Sequence, residues 1–139
     1  MEAPSNDKRA HLRTIRSIAN RMRVGSSITK VWSIATVAAL LALATTPSHD
    51  RFTWLALFMA LAFWMLDAYF SRQAWLFRKI YERVLSLPES ELDFDLSTAP
   101  VDSDTAAFST IFFSKALGAY YGTIVALIIL VRLVFARSA

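Results

Sequence analysis

Three long apolar segments limit what this chain can fold into more than any other feature. Val31–Thr46 is sixteen residues without a charge. Phe52–Phe70 is nineteen residues with Asp67 as its only charge, and Phe108–Val131 is twenty-four with Lys115 as its only charge. A helix needs about 20 mostly apolar residues to cross ~30 Å of hydrocarbon. A soluble helical bundle is the alternative, but a chain of 139 residues has little left to cover three such helices.

The predicted fold is therefore an all-α integral membrane protein with three transmembrane helices, at about residues 28–46, 52–71 and 110–133. A cleavable secretory signal is an alternative for the first of them, because Ala42, Leu43 and Ala44 follow the apolar run as a small-residue cleavage site would. The basic segment before that run is thirty residues long, whereas the charged region of a signal is usually short. We therefore expect the first span to be retained.

The composition removes most classes of enzyme. The chain has no Cys, and its two histidines, His11 and His49, lie far apart in the sequence. Disulfides, thiolate zinc sites and Cys nucleophiles are excluded, and a histidine metal site or a Ser-His-Asp triad has almost no material. We predict a protein that is not an enzyme and that has no catalytic residue, no metal and no cofactor.

Lysine and arginine are distributed unevenly on the two sides of the predicted spans. About twelve of the fifteen lie before the first span or around the connection between the second and third spans. The other three are Arg51, Arg132 and Arg137. Because cytoplasmic loops carry the excess of positive charge, we expect a bacterial inner (plasma) membrane protein with a cytoplasmic N-terminus and an external C-terminus.

The first 27 residues are predicted to be a cytoplasmic tail that contains a basic amphipathic helix. Within residues 8–23, Leu12, Ile15, Ile18 and Met22 recur at helical spacing. Arginines on the opposite side would contact the membrane surface or a partner: Arg9, Arg13, Arg16 and Arg23. Nucleic acid is disfavoured as that partner, since no aromatic residue interleaves these charges. Gly25-Ser26-Ser27 is expected to end this helix.

The second span is predicted to continue beyond the membrane as a cytoplasmic helix over residues 72–86 of the membrane domain, which comprises residues 28–136. The segment from Ser71 to Leu85 has no Pro or Gly, and an apolar stripe runs along it. That stripe consists of Leu76, Phe77, Ile80, Tyr81 and Val84. It needs cover, and the N-terminal helix or a neighbouring subunit would supply it.

An acidic loop is predicted at residues 87–105. It holds six of the eleven acidic residues and no Lys or Arg, and Pro88 and Pro100 bracket it. Three roles are open: a solvated loop lying against the basic helices, an edge segment that docks a partner, or a divalent-cation site. Asp104 and Thr105 would cap the last helix, which is expected to run to about Ala136.

Three charges are predicted to lie at one level of the membrane domain: Asp67, Lys30 and Lys115. A buried carboxylate in lipid costs roughly 2.5–3.5 kcal/mol at a helix centre, so it requires a partner or a function. An ion pair that fixes the helix register and an ion or proton pathway are both open.

Small side chains predict close helix contacts, within the subunit or between subunits. They lie on one side of the first span and in the third span: Ala35, Ala38, Ala42, Gly118 and Gly122. Such faces are typical of a homo-oligomer in a lipid bilayer.

Three segments resemble a group of small, mostly uncharacterised bacterial multi-pass membrane proteins. They are IANRMRVGSSITKVWSIATVAAL at 18–40, AFWMLDAYFSRQAWLFRKIYERV at 62–84 and FFSKALGAYYG at 112–122. The second carries a W-x-L-D-A-Y-(Y/F)-x-R signature and its continuation, with Trp64, Asp67, Tyr69, Arg72, Phe77 and Arg78 at the matching positions. The resemblance implies a membrane effector or accessory subunit of a bacterial antiviral defence system, paired with a cytosolic partner.

From these observations we expect a self-associating inner-membrane protein that acts as a membrane effector or pore-type component. Two alternatives remain open, a membrane anchor or assembly subunit of a larger complex and a small ion or proton channel centred on Asp67.

Overall fold

The structure, a computed structural model, describes residues 5–45, 49–88 and 108–138. Every regular element in these ranges is a helix. The helices are α1 (Asn6–Leu43), α2 (His49–Ser86), the short α3 (Phe108–Phe112) and α4 (Lys115–Ser138).

Three of these helices, α1, α2 and α4, are long and apolar enough to cross a membrane. The predicted all-α protein with three such helices is confirmed. With 38 residues each, α1 and α2 are about 57 Å long, which exceeds the ~30 Å hydrocarbon core. The exposed large apolar side chains concentrate at residues 24–43, 54–69 and 127–134, which we call the apolar belt.

The prediction that Gly25-Ser26-Ser27 ends a helix is wrong. The structure therefore has no separate N-terminal amphipathic helix in its described residues. These residues are helical, and the tail is the first half of a continuous α1. Gly in a helix costs only about 1 kcal/mol relative to Ala, which tertiary packing readily outweighs. The Phe70 ring packs so closely on Gly25 that a Cβ there would lie 3.1 Å from it. Glycine thus permits a close helix contact at this position.

The N-terminal half of α1 packs against the C-terminal half of α2, and we call this pair, residues 5–23 and 72–88, the arm. Its core consists of Leu12, Ile15, Ile80 and Val84, flanked by Phe77 and Tyr81. α2 continues as one helix to Ser86, and the N-terminal half of α1 covers its apolar stripe. That this part of α2 lies on the cytoplasmic side of a membrane stays a prediction. At the end of the arm, the Nζ atom of the buried Lys8 donates to the backbone oxygen of Leu87 at 2.7 Å, just past the end of α2.

Small residues of α2, rather than those predicted on α1, allow the helices in the belt to approach closely. Ala56 and Ala60 are fully buried and pack with Val37 of α1 and Ile128 of α4. The predicted small face of the first span is exposed: Ala35, Ala38 and Ala42. A Cβ added at Gly118 or Gly122 would meet no atom within 4 Å.

The last span differs from its prediction, because the helix is interrupted at Phe113–Ser114 and α4 begins at Lys115. The Ser114 hydroxyl lies 3.5 Å from the backbone nitrogen of Leu117, the geometry of a serine at a helix start. The carbonyl of Phe112 accepts a hydrogen bond from the Trp64 Nε1 atom at 2.9 Å. The proposed cap at Asp104 and Thr105 and most of the acidic loop lie outside the described residues.

Candidate functional site: a buried ion pair at the junction of three helices

Asp67 is the centre of a polar cluster inside the packed helices. It is fully buried, and its Oδ2 atom lies 2.7 Å from the Nζ atom of Lys30. The hydroxyl of Ser26 donates to Oδ1, and the hydroxyl of Tyr121 donates to Oδ2 at 3.2 Å. Both carboxylate oxygens are therefore bonded, with donors from α1 and α4.

The α1 side of the cluster depends on helical spacing. Ser26 and Lys30 are four residues apart and so lie on one face of α1, where the Lys30 Nζ atom also donates to the Ser26 hydroxyl oxygen at 2.8 Å. The backbone oxygen of Lys30 accepts from the Ser33 hydroxyl at 2.8 Å and from the Tyr120 hydroxyl at 2.9 Å. One residue of α1 thus binds α2 through its side chain and α4 through its carbonyl group.

An aromatic stack connects α3 and α4 to α2 beside the ion pair. The Trp64 ring is stacked on Phe112, with 4.5 Å between centroids, and on Tyr121, with 5.9 Å. Trp64 lies one turn before Asp67 in α2, so the same helix face presents the carboxylate and the ring that orients its tyrosine donor. The partly buried indole N–H donates to the Phe112 carbonyl.

This arrangement is chemically that of a structural tie. An ionised carboxylate away from water is costly in free energy unless it is paired and hydrogen-bonded. The three donors supply that compensation, so Asp67 does not need a further ligand to be stable in the interior. The Lys30 side chain is 33% exposed, so part of its length contacts the surroundings while its Nζ atom holds Asp67.

The predicted charge cluster is thus formed by Asp67 and Lys30, whereas Lys115 is outside it. Lys115 is exposed at the first position of α4. It precedes the donor Tyr121 by six residues, which is about 9 Å along a helix axis. The prediction placed it at the common level because it treated residues 108–131 as one uninterrupted span.

The residues of the sequence signature do not form one site. Trp64 and Asp67 belong to the cluster, whereas Phe77 packs on the arm core. Tyr69 is half exposed, Arg72 is half-buried and Arg78 is exposed on the arm. The signature therefore combines residues that join the belt helices with residues that build the arm.

Sequence reasoning missed the hydroxyl donors of the cluster. The predicted helix break contains Ser26, and the sequence assigns no role to Tyr120 or Tyr121. A search for hydroxyl groups at the same level as Asp67 would identify them, since a buried carboxylate requires hydrogen-bond donors.

The basic residues predicted to face a membrane surface or partner lie exposed on the arm: Arg9, Arg13, Arg16 and Arg23. Two of them also line a groove of about 440 Å³ between α1 and α2, together with Arg78 and Tyr81. Within the described residues, no group of three or more His, Asp or Glu side chains is placed to hold a metal ion.

No family model matches this chain, and no curated protein or solved structure is significantly similar to it.

Proposed function

We propose that this protein is a non-enzymatic component of the bacterial inner membrane that self-associates and acts as a membrane effector, of pore type, together with a cytosolic partner. The observation that carries the proposal is that small-residue faces of α1 and α4 are not covered by the other described helices. The described helices leave these faces without a neighbour in the protomer.

The two faces belong to different helices. Ala35, Ala38 and Ala42 lie exposed on α1, and Gly118 and Gly122 on α4 have open space where side chains would be. In lipid, small residues favour association because they let helix backbones approach closely, which increases van der Waals contact. A second copy of the chain is the simplest occupant of such faces, since oligomers of identical chains are the commonest kind among soluble proteins.

The ion pair bears on the alternative of a channel centred on Asp67. Asp67 is fully buried, and its oxygens are bonded to Lys30, Ser26 and Tyr121. A channel centred on Asp67 receives no support from this geometry, because an ion or proton would have to displace all three donors.

The test is the mass of the particle extracted in mild detergent. Wild type is expected as a multimer, and Gly118→Leu combined with Gly122→Leu should shift the mass toward the protomer. Ala126→Leu is the matched control, because Ala126 is exposed on the same helix but outside the glycine pair. A protomer mass for wild type in lipid nanodiscs as well as in detergent would contradict self-association.

A membrane anchor or assembly subunit is the second candidate, and the arm favours it. The arm is held together by its own core and by the Lys8–Leu87 hydrogen bond, while Trp75 and Leu85 on it are about half exposed. Such an arm can carry a partner without any conduction.

Expression should depolarise cells if the protein is an effector and leave the membrane potential unchanged if it is an anchor. The association with antiviral defence comes from the sequence resemblance alone.

A further inference from the structure

The groove in the arm brings three guanidinium groups from two helices together. Arg16 and Arg23 of α1 line one wall, with Ala19 and Asn20 between them, and Arg78 and Tyr81 of α2 line the other. The residues of α1 lie at spacings of three and four, so they share one helix face. The volume of about 440 Å³ is in the ~300–1,000 Å³ range of small-molecule sites.

The positive charge of this groove is only partly compensated. The Nε atom of Arg78 lies 3.2 Å from a carboxylate oxygen of Glu82, but both side chains are exposed, and such surface pairs contribute little. No carboxylate in the described parts of the chain pairs with Arg16 or Arg23. Three like charges around one cavity create a local positive potential that attracts an anion.

The position of the groove leaves it accessible to a lipid headgroup at one end and to soluble anions at the other. Arg23 is adjacent to Val24, where the apolar belt begins on α1. A phosphate group attached to a lipid lies just outside the hydrocarbon, at the level of Arg23, whereas Arg16 lies seven residues, about 10 Å, farther along α1. Guanidinium groups bind phosphate oxygens in bidentate pairs, and the Asn20 amide and the Tyr81 hydroxyl add neutral donors for the rest of a headgroup.

We propose that the groove formed by Arg16, Arg23 and Arg78 binds a phosphate-bearing anion, either the headgroup of an anionic phospholipid or a soluble phosphate ester. This site is separate from the small-residue faces, so it exists whether or not the proposed self-association occurs.

The experiment measures ligand-induced thermal stabilisation and bound mass for the full-length protein in a neutral detergent. One arm adds short-chain phosphatidylglycerol, with phosphatidylcholine as the zwitterionic comparison. The second arm adds glycerol 3-phosphate or inorganic phosphate without lipid. Wild type is compared with Arg16→Gln combined with Arg78→Gln. The matched control is Arg9→Gln combined with Arg13→Gln, which removes the same charge from exposed positions of α1 outside the groove.

We expect the groove variant to bind phosphatidylglycerol at least tenfold more weakly than wild type, since each charge-assisted hydrogen bond lost corresponds to about that factor. The control variant should change binding by less than about threefold, through general surface charge alone. Arg16→Lys combined with Arg78→Lys should lie between the two, because lysine keeps the charge without the bidentate geometry.

The two arms identify the source of the phosphate. Binding of phosphatidylglycerol alone assigns the groove to a lipid, and equal binding of glycerol 3-phosphate with the same dependence on variants assigns it to a soluble ester. Equal losses in the groove and control variants would overturn the proposal, because the attraction would then be general. Wild-type binding that phosphatidylcholine matches would overturn it as well.

Discussion

At the scale of single residues, the two members of the buried ion pair differ in what each would leave behind. Asp67 is fully buried, whereas the Lys30 side chain is one third exposed, long and flexible. A lysine without its partner can turn its ammonium group toward the membrane surface, but an aspartate without its partner has no such route.

Lys30→Gln should therefore destabilise the protein more than Asp67→Asn, because it leaves the carboxylate without its counter-charge. The double variant should be less damaging than the sum of the single variants by about 1–3 kcal/mol. Unfolding in nanodiscs measures this coupling. Lys115→Gln provides the matched control and should combine additively with Asp67→Asn within about 0.5 kcal/mol. Coupling of Asp67 to Lys115 rather than to Lys30 would contradict the structure.

Two glycines should respond in opposite directions to a side chain. Gly25→Leu should cost about 1–3 kcal/mol through overpacking on Phe70, and Phe70→Ala in the same chain should relieve part of that cost. Gly118→Ala should instead stabilise the protomer by about 0.5–1 kcal/mol, because its surroundings are open and Ala favours the helix. Thermal unfolding of the three variants checks this. Tolerance of Gly25→Leu without any change at Phe70 would contradict the close contact.

The lone acid could be identified from the sequence, but its donors could not. Asp67 is conspicuous because it is the only charge in nineteen residues, and Lys30 is the nearest base on the preceding span. Ser26 and Tyr121 have no such distinction, since hydroxyl groups are common in membrane helices and their function depends on which helix faces meet. That information lies in the packing of α1 and α4 on α2.

At the scale of elements, hydrophobic periodicity predicts α2 well, but the sequence predicts neither that α1 is continuous nor that the last span is interrupted. The stripe from Leu76 to Val84 has the period of a helix, and it is buried as that period requires. The residue types of Gly25-Ser26-Ser27 are typical of a helix end, but packing against α2 keeps this segment helical. Phe113 and Ser114 lie in a segment whose composition predicts a transmembrane helix, yet the helix is interrupted there. The carbonyl of Phe112 beside them accepts a hydrogen bond from Trp64.

The arm should be sensitive to a charge at Ile80, in its core, and tolerant of a charge at Leu85, on its surface. Ile80→Glu places a carboxylate among Leu12, Ile15 and Val84, and it should destabilise the arm by about 3 kcal/mol or more. Leu85→Glu is the control, because Leu85 is 56% exposed and should shift stability by less than about 0.5 kcal/mol. Hydrogen exchange of the arm amides measures both variants. Equal protection in Ile80→Glu and wild type would show that the arm is not packed.

At the scale of the whole molecule, three successive antiparallel helices place the start of α1 and the end of α4 at opposite ends. Asp67 of α2 meets Lys30 and Tyr121, and Ala60 of α2 packs with Val37 and Ile128, so α2 runs against both neighbours. The direction of insertion then depends on the charge difference between the two ends.

Single cysteines can report that direction cleanly, because the native chain has no Cys. We expect Ser5→Cys to react with an impermeant maleimide only after the cells are opened, and Ser138→Cys to react in intact cells. The positive-inside bias of about twelve to three is the reason. The sequence predicts this orientation from charge alone, and labelling of both positions from the same side would contradict three spans.

The uninterrupted passage of α1 and α2 from the belt into the arm gives the molecule the mechanics of a lever. A transmembrane helix tilts when the bilayer becomes thinner than its apolar length, and no joint lies between the tilting part and the arm. Lys8 is sixteen residues from the belt edge at Val24, about 24 Å, so a change of ~10° in tilt would move it by roughly 4 Å. Membrane thickness would thereby be converted into a displacement that a protein bound to the arm could sense.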